Sequence, residues 1–108
     1  MIVPCRHLSC LADLTSEERL ELFAFQVLSV RVLTEAMMPE GFNIGMNLGK
    51  AAGAGIDDHL HIHVVPRWGG DTNFMSVIGE ARVIPEDVIA TASHLRHYFD
   101  RFQREVCR

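Results

Sequence analysis

Residues 59–63 read His-Leu-His-Ile-His, so three of the chain's six histidines stand at alternate positions within five residues. On an extended strand, side chains on one face recur every second residue, ~6.5–7 Å apart. Three imidazoles spaced this way form a line. A metal site, a catalytic row and a solvent-facing strand that happens to use histidine would all look like this. For zinc, a flat strand spreads its ligands widely around one tetrahedral ion, and no fourth partner stands out. For catalysis, neutral imidazole is a good nucleophile toward phosphorus near pH 7. The attacking nitrogen needs its lone pair. The other ring nitrogen must then carry the proton and give it to a fixed acceptor, commonly a backbone carbonyl. Flanking imidazoles can hold phosphate oxygens as negative charge grows.

The surrounding residues supply elements that could position such a row. Leu60, Ile62 and Val64 alternate with the histidines, which predicts a strand over 59–65 with its apolar side in the core and Pro66 as its stop. Residues 41–48, GFNIGMNL, also alternate: Phe42, Ile44, Met46 and Leu48 point one way, Asn43, Gly45 and Asn47 the other. If the two strands pair, Asn43 and Asn47 share the histidine face and offer amide donors and acceptors beside the imidazoles. The connection GKAAGAGIDD, residues 49–58, reads as a loop at the edge of that face. Gly53 and Gly55 can take positive φ there and bring backbone N–H groups close to an anion. Ten residues are too few for a parallel crossover helix, so the strands should run antiparallel.

Upstream, residues 1–3 read as the end of a strand stopped by Pro4, followed by a loop to Leu14. Thr15 and Glu18 form a T-x-x-E capping box. It opens a helix expected from Ser16 to about Met38, ended by Pro39 and Gly41. The row Leu20, Phe23, Val27 and Val30, widened by Leu22, Leu33 and Met37, is expected to press on the sheet. Downstream, Trp68-Gly69-Gly70-Asp71 reads as a turn and residues 74–78 as a further strand. Pro85 reads as the first residue of a final helix. That helix carries the stripe Val88, Ile89, Ala92, Leu95, Phe99, Phe102 and Val106, with His94 and His97 off it at the surface. The fold class is α+β: an antiparallel sheet with one long helix packed on it and a C-terminal helix.

The chain has 108 residues, which suits one domain, and a net charge of −4. That charge argues against a general nucleic-acid footprint. No apolar run approaches the ~20 residues of a membrane helix, and the start MIVPCRHLSC lacks the apolar region of a signal peptide. Cys5, Cys10 and Cys107 are odd in number and contain no C-x-x-C pair, so they read as reduced thiols of a cytoplasmic protein.

Residues 59–65, H-φ-H-φ-H-φ-φ, match the signature of the histidine triad (HIT) superfamily. Residues 41–75 resemble the branch that contains bacterial diadenosine polyphosphate hydrolases and phosphorylases, and MIVPCRH resembles the strand and loop that lead into that branch's first long helix. The resemblance implies His61 as nucleophile, His63 in contact with phosphate and His59 as support. It implies Asn47 near ribose or phosphate, and backbone contacts to phosphate from Gly53, Ala54, Gly55 and Ile56. It implies no cofactor and no metal held by the triad, a small nucleotide substrate, and a homodimer built through the long helix and central strands. Members of the branch carry a segment before the position of Met1, so the chain reads as one HIT-like domain, 1–108, short at its N-terminus. The expected function is hydrolysis or transfer on dinucleoside polyphosphates through a nucleotidyl intermediate on His61. The alternatives are a phosphorylase using phosphate as acceptor and a nucleotide-binding module that has lost catalysis. Outside the motif, His7 and Trp68 read as structural, and Lys50 as a solvated loop lysine, though one able to draw in phosphate.

Overall fold

The structure is a computed structural model. It describes residues 1–54, 58–71 and 87–106, with backbone only at 105 and 106. In chain order it contains α1 (Ser16–Met37), β1 (Gly41–Gly45), β2 (His63–Arg67) and α2 (Val88–Val106), with short 3-10 turns at Leu11–Asp13 and Lys50–Ala52. The sequence readings at Gly55, Ile56, 74–78, Pro85 and Cys107 lie outside the described residues.

Helix α1 starts where the capping box demands. The Glu18 N–H donates to Thr15 Oγ1 at 3.1 Å and the Thr15 N–H donates to Glu18 Oε1 at 3.0 Å, which satisfies two otherwise orphan donors. Arg6 anchors the same corner by donating to Glu18 Oε1 at 2.8 Å and to the Asp13 carbonyl at 2.7 Å. The Arg6 guanidinium, with the Thr15 amide, holds the Glu18 carboxyl down at about 2. The helix ends as Met38 turns into the left-handed region, φ 49°, just before Pro39, which disfavours further right-handed helix at residue 38.

β1 and β2 pair antiparallel, with Gly41 opposite Arg67, Asn43 opposite Val65 and Gly45 opposite His63. Along the other edge of the histidine segment, Ile2 and Ile62 exchange both backbone bonds at 2.8 and 2.9 Å, and the Leu60 N–H donates to the Leu8 carbonyl at 2.8 Å. The segment 60–67 is therefore bonded on one edge at 60 and 62 and on the other edge at 63–67. This explains why Pro66 does not stop the strand as expected. Amides alternate between edges along a strand. Ile62 directs its N–H toward Ile2, so the N–H that Pro66 lacks belongs to that same edge, away from β1. β1 in turn is shorter than the alternation implied, ending at Gly45 rather than Leu48.

Among the described residues the core has two parts. Ile2, Leu8, Leu14, Leu22, Leu60 and Ile62 form one, with Met46 and Val64 at its margin. Leu28, Val32 and Phe102 form the other, backed by Leu95, Tyr98 and Phe99 of α2. Phe25 packs against both and joins them. Arg31 lies over the Phe102 ring at 4.1 Å, and Arg101 over the same ring at 4.4 Å, closing the α1–α2 seam with the stems and charges of two arginines.

Part of the expected inner face of α1 points outward. Leu20, Phe23 and Val27 are 74%, 65% and 58% exposed, while Leu22 and Leu33 of that face are buried as expected, together with Leu28, Ser29 and Val32. The reason is compositional. Positions 20, 23 and 27 follow helical spacing as well as 22, 25, 29 and 32 do, so the helix is apolar on nearly opposite sides and periodicity cannot choose between them. In α2, likewise, Val88 and Ile89 are exposed although they belong to the predicted stripe. Leu95, Phe99 and Phe102 face inward as expected. No helix among the described residues is long and apolar enough to cross a membrane.

Candidate active site

The alternation of 59–65 is realised in space. Leu60 and Ile62 are buried at 4% and 3% exposure, and the three histidines lie half-buried on the opposite side. His61 and His63 meet edge to face with ring centroids 4.7 Å apart. His61 Nδ1 lies 2.9 Å from the carbonyl of His59. A carbonyl can only accept, so Nδ1 carries the proton and Nε2 keeps its lone pair. This is the state that nucleophilic attack requires. Among the described residues Nε2 has no hydrogen-bond partner.

His59 is fixed by the same logic. Its Nε2 lies 2.8 Å from the Pro4 carbonyl and therefore donates. Its Nδ1 must then accept, and the partner 3.0 Å away is Nδ1 of His7. His7 thus donates to His59, and a carbonyl at one end fixes the tautomers of a two-imidazole chain. Sequence reasoning assigned His7 to loop structure and missed this contact. The two residues are 52 positions apart, and no local pattern links them. His63 is held below the ordinary imidazole value, first by burial, then by repulsion from His61 and the N-terminal ammonium. It stays neutral to lower pH than a free histidine would.

Farther along the same face, each guanidinium nitrogen of Arg67 donates to a side-chain acceptor. Its Nε and Nη2 donate to the two oxygens of Asp71 at 2.7 and 2.5 Å, and Nη1 donates to Asn43 Oδ1 at 2.6 Å. Asp71 also accepts the Trp68 N–H at 3.1 Å, and the arginine holds its carboxyl below the ordinary value. Asn43, expected to face substrate, is therefore on the predicted face but committed to Arg67. At the turn, a Cβ on Gly69 would stand 3.1 Å from a Glu40 carboxylate oxygen, which keeps this corner tight.

A cleft of about 240 Å³ opens beside the triad, lined by Ser9, Asn47, Lys50, Asp58, His59 and His61 among others. Asn47 lies past the end of β1 but reaches the cleft, with its Nδ2 3.5 Å from where a Cβ on Gly53 would sit. Gly49 and Gly53 take φ of 81° and 95° and bracket the 3-10 turn Lys50–Ala52. The phosphate cradle expected from this loop is only partly available. The Gly53 N–H donates to the Lys50 carbonyl and the Ala54 N–H to the Gly49 carbonyl, both at 3.1 Å, so these two amides close the loop on itself. Gly55 and Ile56 lie outside the described residues. No group of three or more His, Cys, Asp or Glu among the described residues is arranged to hold a metal ion, and both nitrogens of His59 are already bonded. Cys5 and Cys10 are free and exposed.

The HIT domain family profile matches residues 1–70. Over 86 residues the chain is 52% identical to the AP-4-A phosphorylase of Mycobacterium tuberculosis, in both strains compared, covering 80% of this chain and 44% of the relative. The chain thus spans less than half the length of the curated relatives it matches. Among solved structures it resembles a zinc-bound histidine triad family protein from Mycobacterium smegmatis, with 28% identity, TM-score 0.72, and coverage of 95% of this chain and 69% of that one. It also resembles the NitFhit protein of C. elegans, with 26% identity, TM-score 0.67, and coverage of 91% of this chain and 21% of that one.

Proposed function

Because the chain belongs to the HIT domain family, we propose that it carries the nucleotidyl-transfer site of a dinucleoside polyphosphate phosphorylase. The observation that carries this reading is the 2.9 Å bond from His61 Nδ1 to the His59 carbonyl, which leaves Nε2 unprotonated beside a cleft. Nε2 forms a P–N bond at the α-phosphorus. The P–O bond to the rest of the polyphosphate breaks, and its electron pair leaves with that oxygen. The phosphoryl-imidazole carries positive charge, which the His59 carbonyl stabilises. Inorganic phosphate then forms a new P–O bond to the same phosphorus, the P–N bond breaks, and its electron pair returns to Nε2. Products are a nucleoside diphosphate and the departing nucleoside polyphosphate. His63, kept neutral, contacts the phosphate without competing for the proton. The name of the relatives at 52% identity favours phosphate over water as the acceptor.

The test is to trap the intermediate. Dinucleoside polyphosphate labelled at the α-phosphorus, quenched in alkali, should leave an acid-labile label on the peptide containing His61. Label absent from that peptide under turnover would reject the nucleophile assignment.

The same reading makes 1–108 one catalytic domain of a cytoplasmic homodimer. Free thiols at Cys5 and Cys10 fit a reducing compartment. The outward stripe Leu20, Phe23 and Val27 fits a helix covered by a second copy. Light scattering should give twice the chain mass, and Phe23→Asp should give the monomer. A monomeric wild type would remove the dimer.

A further inference from the structure

We propose that Lys50, with Ser9, forms a phosphate subsite of the His61 cleft that holds the leaving polyphosphate in the first step and the acceptor phosphate in the second. This rests on the phosphorylase reading and adds where its second substrate binds. Displacement at phosphorus places nucleophile and leaving group in line. The acceptor that releases the nucleotidyl group from His61 must approach opposite Nε2, where the leaving group departed. One subsite therefore serves both anions.

The cleft supplies such a place. Lys50 and Ser9 line the same cavity as His61. Among the described residues, neither the ammonium nor the hydroxyl has a hydrogen-bond or ion-pair partner. The 3-10 turn fixes the Lys50 backbone, whose carbonyl accepts the Gly53 N–H at 3.1 Å. With the Gly53 and Ala54 amides spent on the loop itself, the neutralising charge must come from a side chain. Lys50 is the one cationic side chain among the described lining residues, apart from the imidazoles, and Asp58 the one carboxylate. Removing Lys50 leaves the described lining without a cationic side chain to meet a phosphate. Water as acceptor needs no cation here, whereas a phosphate anion does, so Lys50 sets the choice between phosphorolysis and hydrolysis.

Two measurements on the full chain test this. In turnover of a dinucleoside tetraphosphate with phosphate varied, Lys50→Ala should raise the KM for phosphate about tenfold or more, the size of one charge-assisted hydrogen bond. It should also shift product from nucleoside diphosphate toward monophosphate. Lys50→Arg should restore most of the phosphate dependence, and Ser9→Ala should have a smaller effect in the same direction. A KM for phosphate within twofold of wild type in Lys50→Ala overturns the proposal. Independently of turnover, inorganic phosphate alone should shift the imidazole NMR resonances of His61 and His63 in wild type, and Lys50→Ala should need about ten times more phosphate. An inactive wild type that still shows this shift would defeat the phosphorylase reading and keep the subsite. Wild-type resonances unmoved by phosphate, or moved equally in the variant, would defeat the subsite.

Discussion

The two ends of the histidine-bearing segment share one face and are built in opposite ways. At 67–71 the polar groups are closed upon each other: Arg67 binds both oxygens of Asp71 and the Asn43 amide oxygen, and Asp71 also caps Trp68. At 59–63 the chain of bonds is equally ordered, but it ends in an unused lone pair. His7 donates to His59, His59 to Pro4, and His61 to the His59 carbonyl, which leaves His61 Nε2 free among the described residues. Mutual bonding gives a rigid corner. Ordered incompleteness gives a reactive atom with a fixed tautomer and a fixed direction. On a single face, polarity alone says little about where chemistry happens; the remaining unsatisfied valence says more.

The largest expected break is His61→Ala. It removes the lone pair itself and should lower turnover by roughly 10³-fold or more while leaving the melting temperature near wild type. Turnover retained within tenfold would mean that the free nitrogen is not the reacting one. Next comes His7→Ala, which leaves His59 Nδ1 without its donor. Loss of an orienting partner of this kind costs ~10–100-fold where measured in other sites. The loss should fall on kcat more than on KM, and His7→Asn should recover part of it. If the change falls on KM alone, His7 does not act through the triad.

Titration should separate the two ends. Burial and His61 hold His63 below its ordinary value of 6.5, so the folded state binds that proton less readily than the unfolded chain. Stability should fall as pH drops below about 6.5 for this group. Asp71 is held below its ordinary value of 3.8 by Arg67, so its contribution should be complete above 3.8 and be lost only as pH falls further. Melting curves between pH 7 and 4 should therefore decline less steeply in His63→Ala than in wild type. An unchanged pH profile in His63→Ala would remove that residue as the source. The smallest effect on turnover should come from Arg67→Ala: a lower melting temperature, with kcat/KM at a permissive temperature within a few-fold of wild type. A loss as large as that of His7→Ala would mean that the closed end takes part in the reaction.

Much of the site was legible in the chain because strand alternation is a local property. Leu60 and Ile62 turn inward and the histidines outward whatever surrounds them. The proton on His61 Nδ1 was likewise predictable, since a nucleophilic imidazole needs a fixed acceptor, though the sequence did not name the His59 carbonyl. The glycine loop was legible only as conformational freedom. Gly53 takes positive φ, but the amides freed by that geometry at 53 and 54 bond to Gly49 and Lys50 rather than waiting for an anion. Asn43 was legible as a residue of the histidine face, but its bond from Arg67 was not, because that partner lies 24 positions away on the paired strand.

By itself, then, the sequence determined what depends on a few consecutive residues: the capping box at Thr15 and Glu18, the antiparallel pairing of the two neighbouring strands, and the alternation that lines up His59, His61 and His63. Tertiary structure alone decided which apolar side of α1 entered the core, how Pro66 kept its place in β2, and that His7 would reach His59. Backbone geometry imposes a period on neighbours and so writes the first set into any window of the chain. The second set depends on which distant surfaces exclude water together and which donors and acceptors then meet, and a linear pattern with more than one apolar side does not encode that choice.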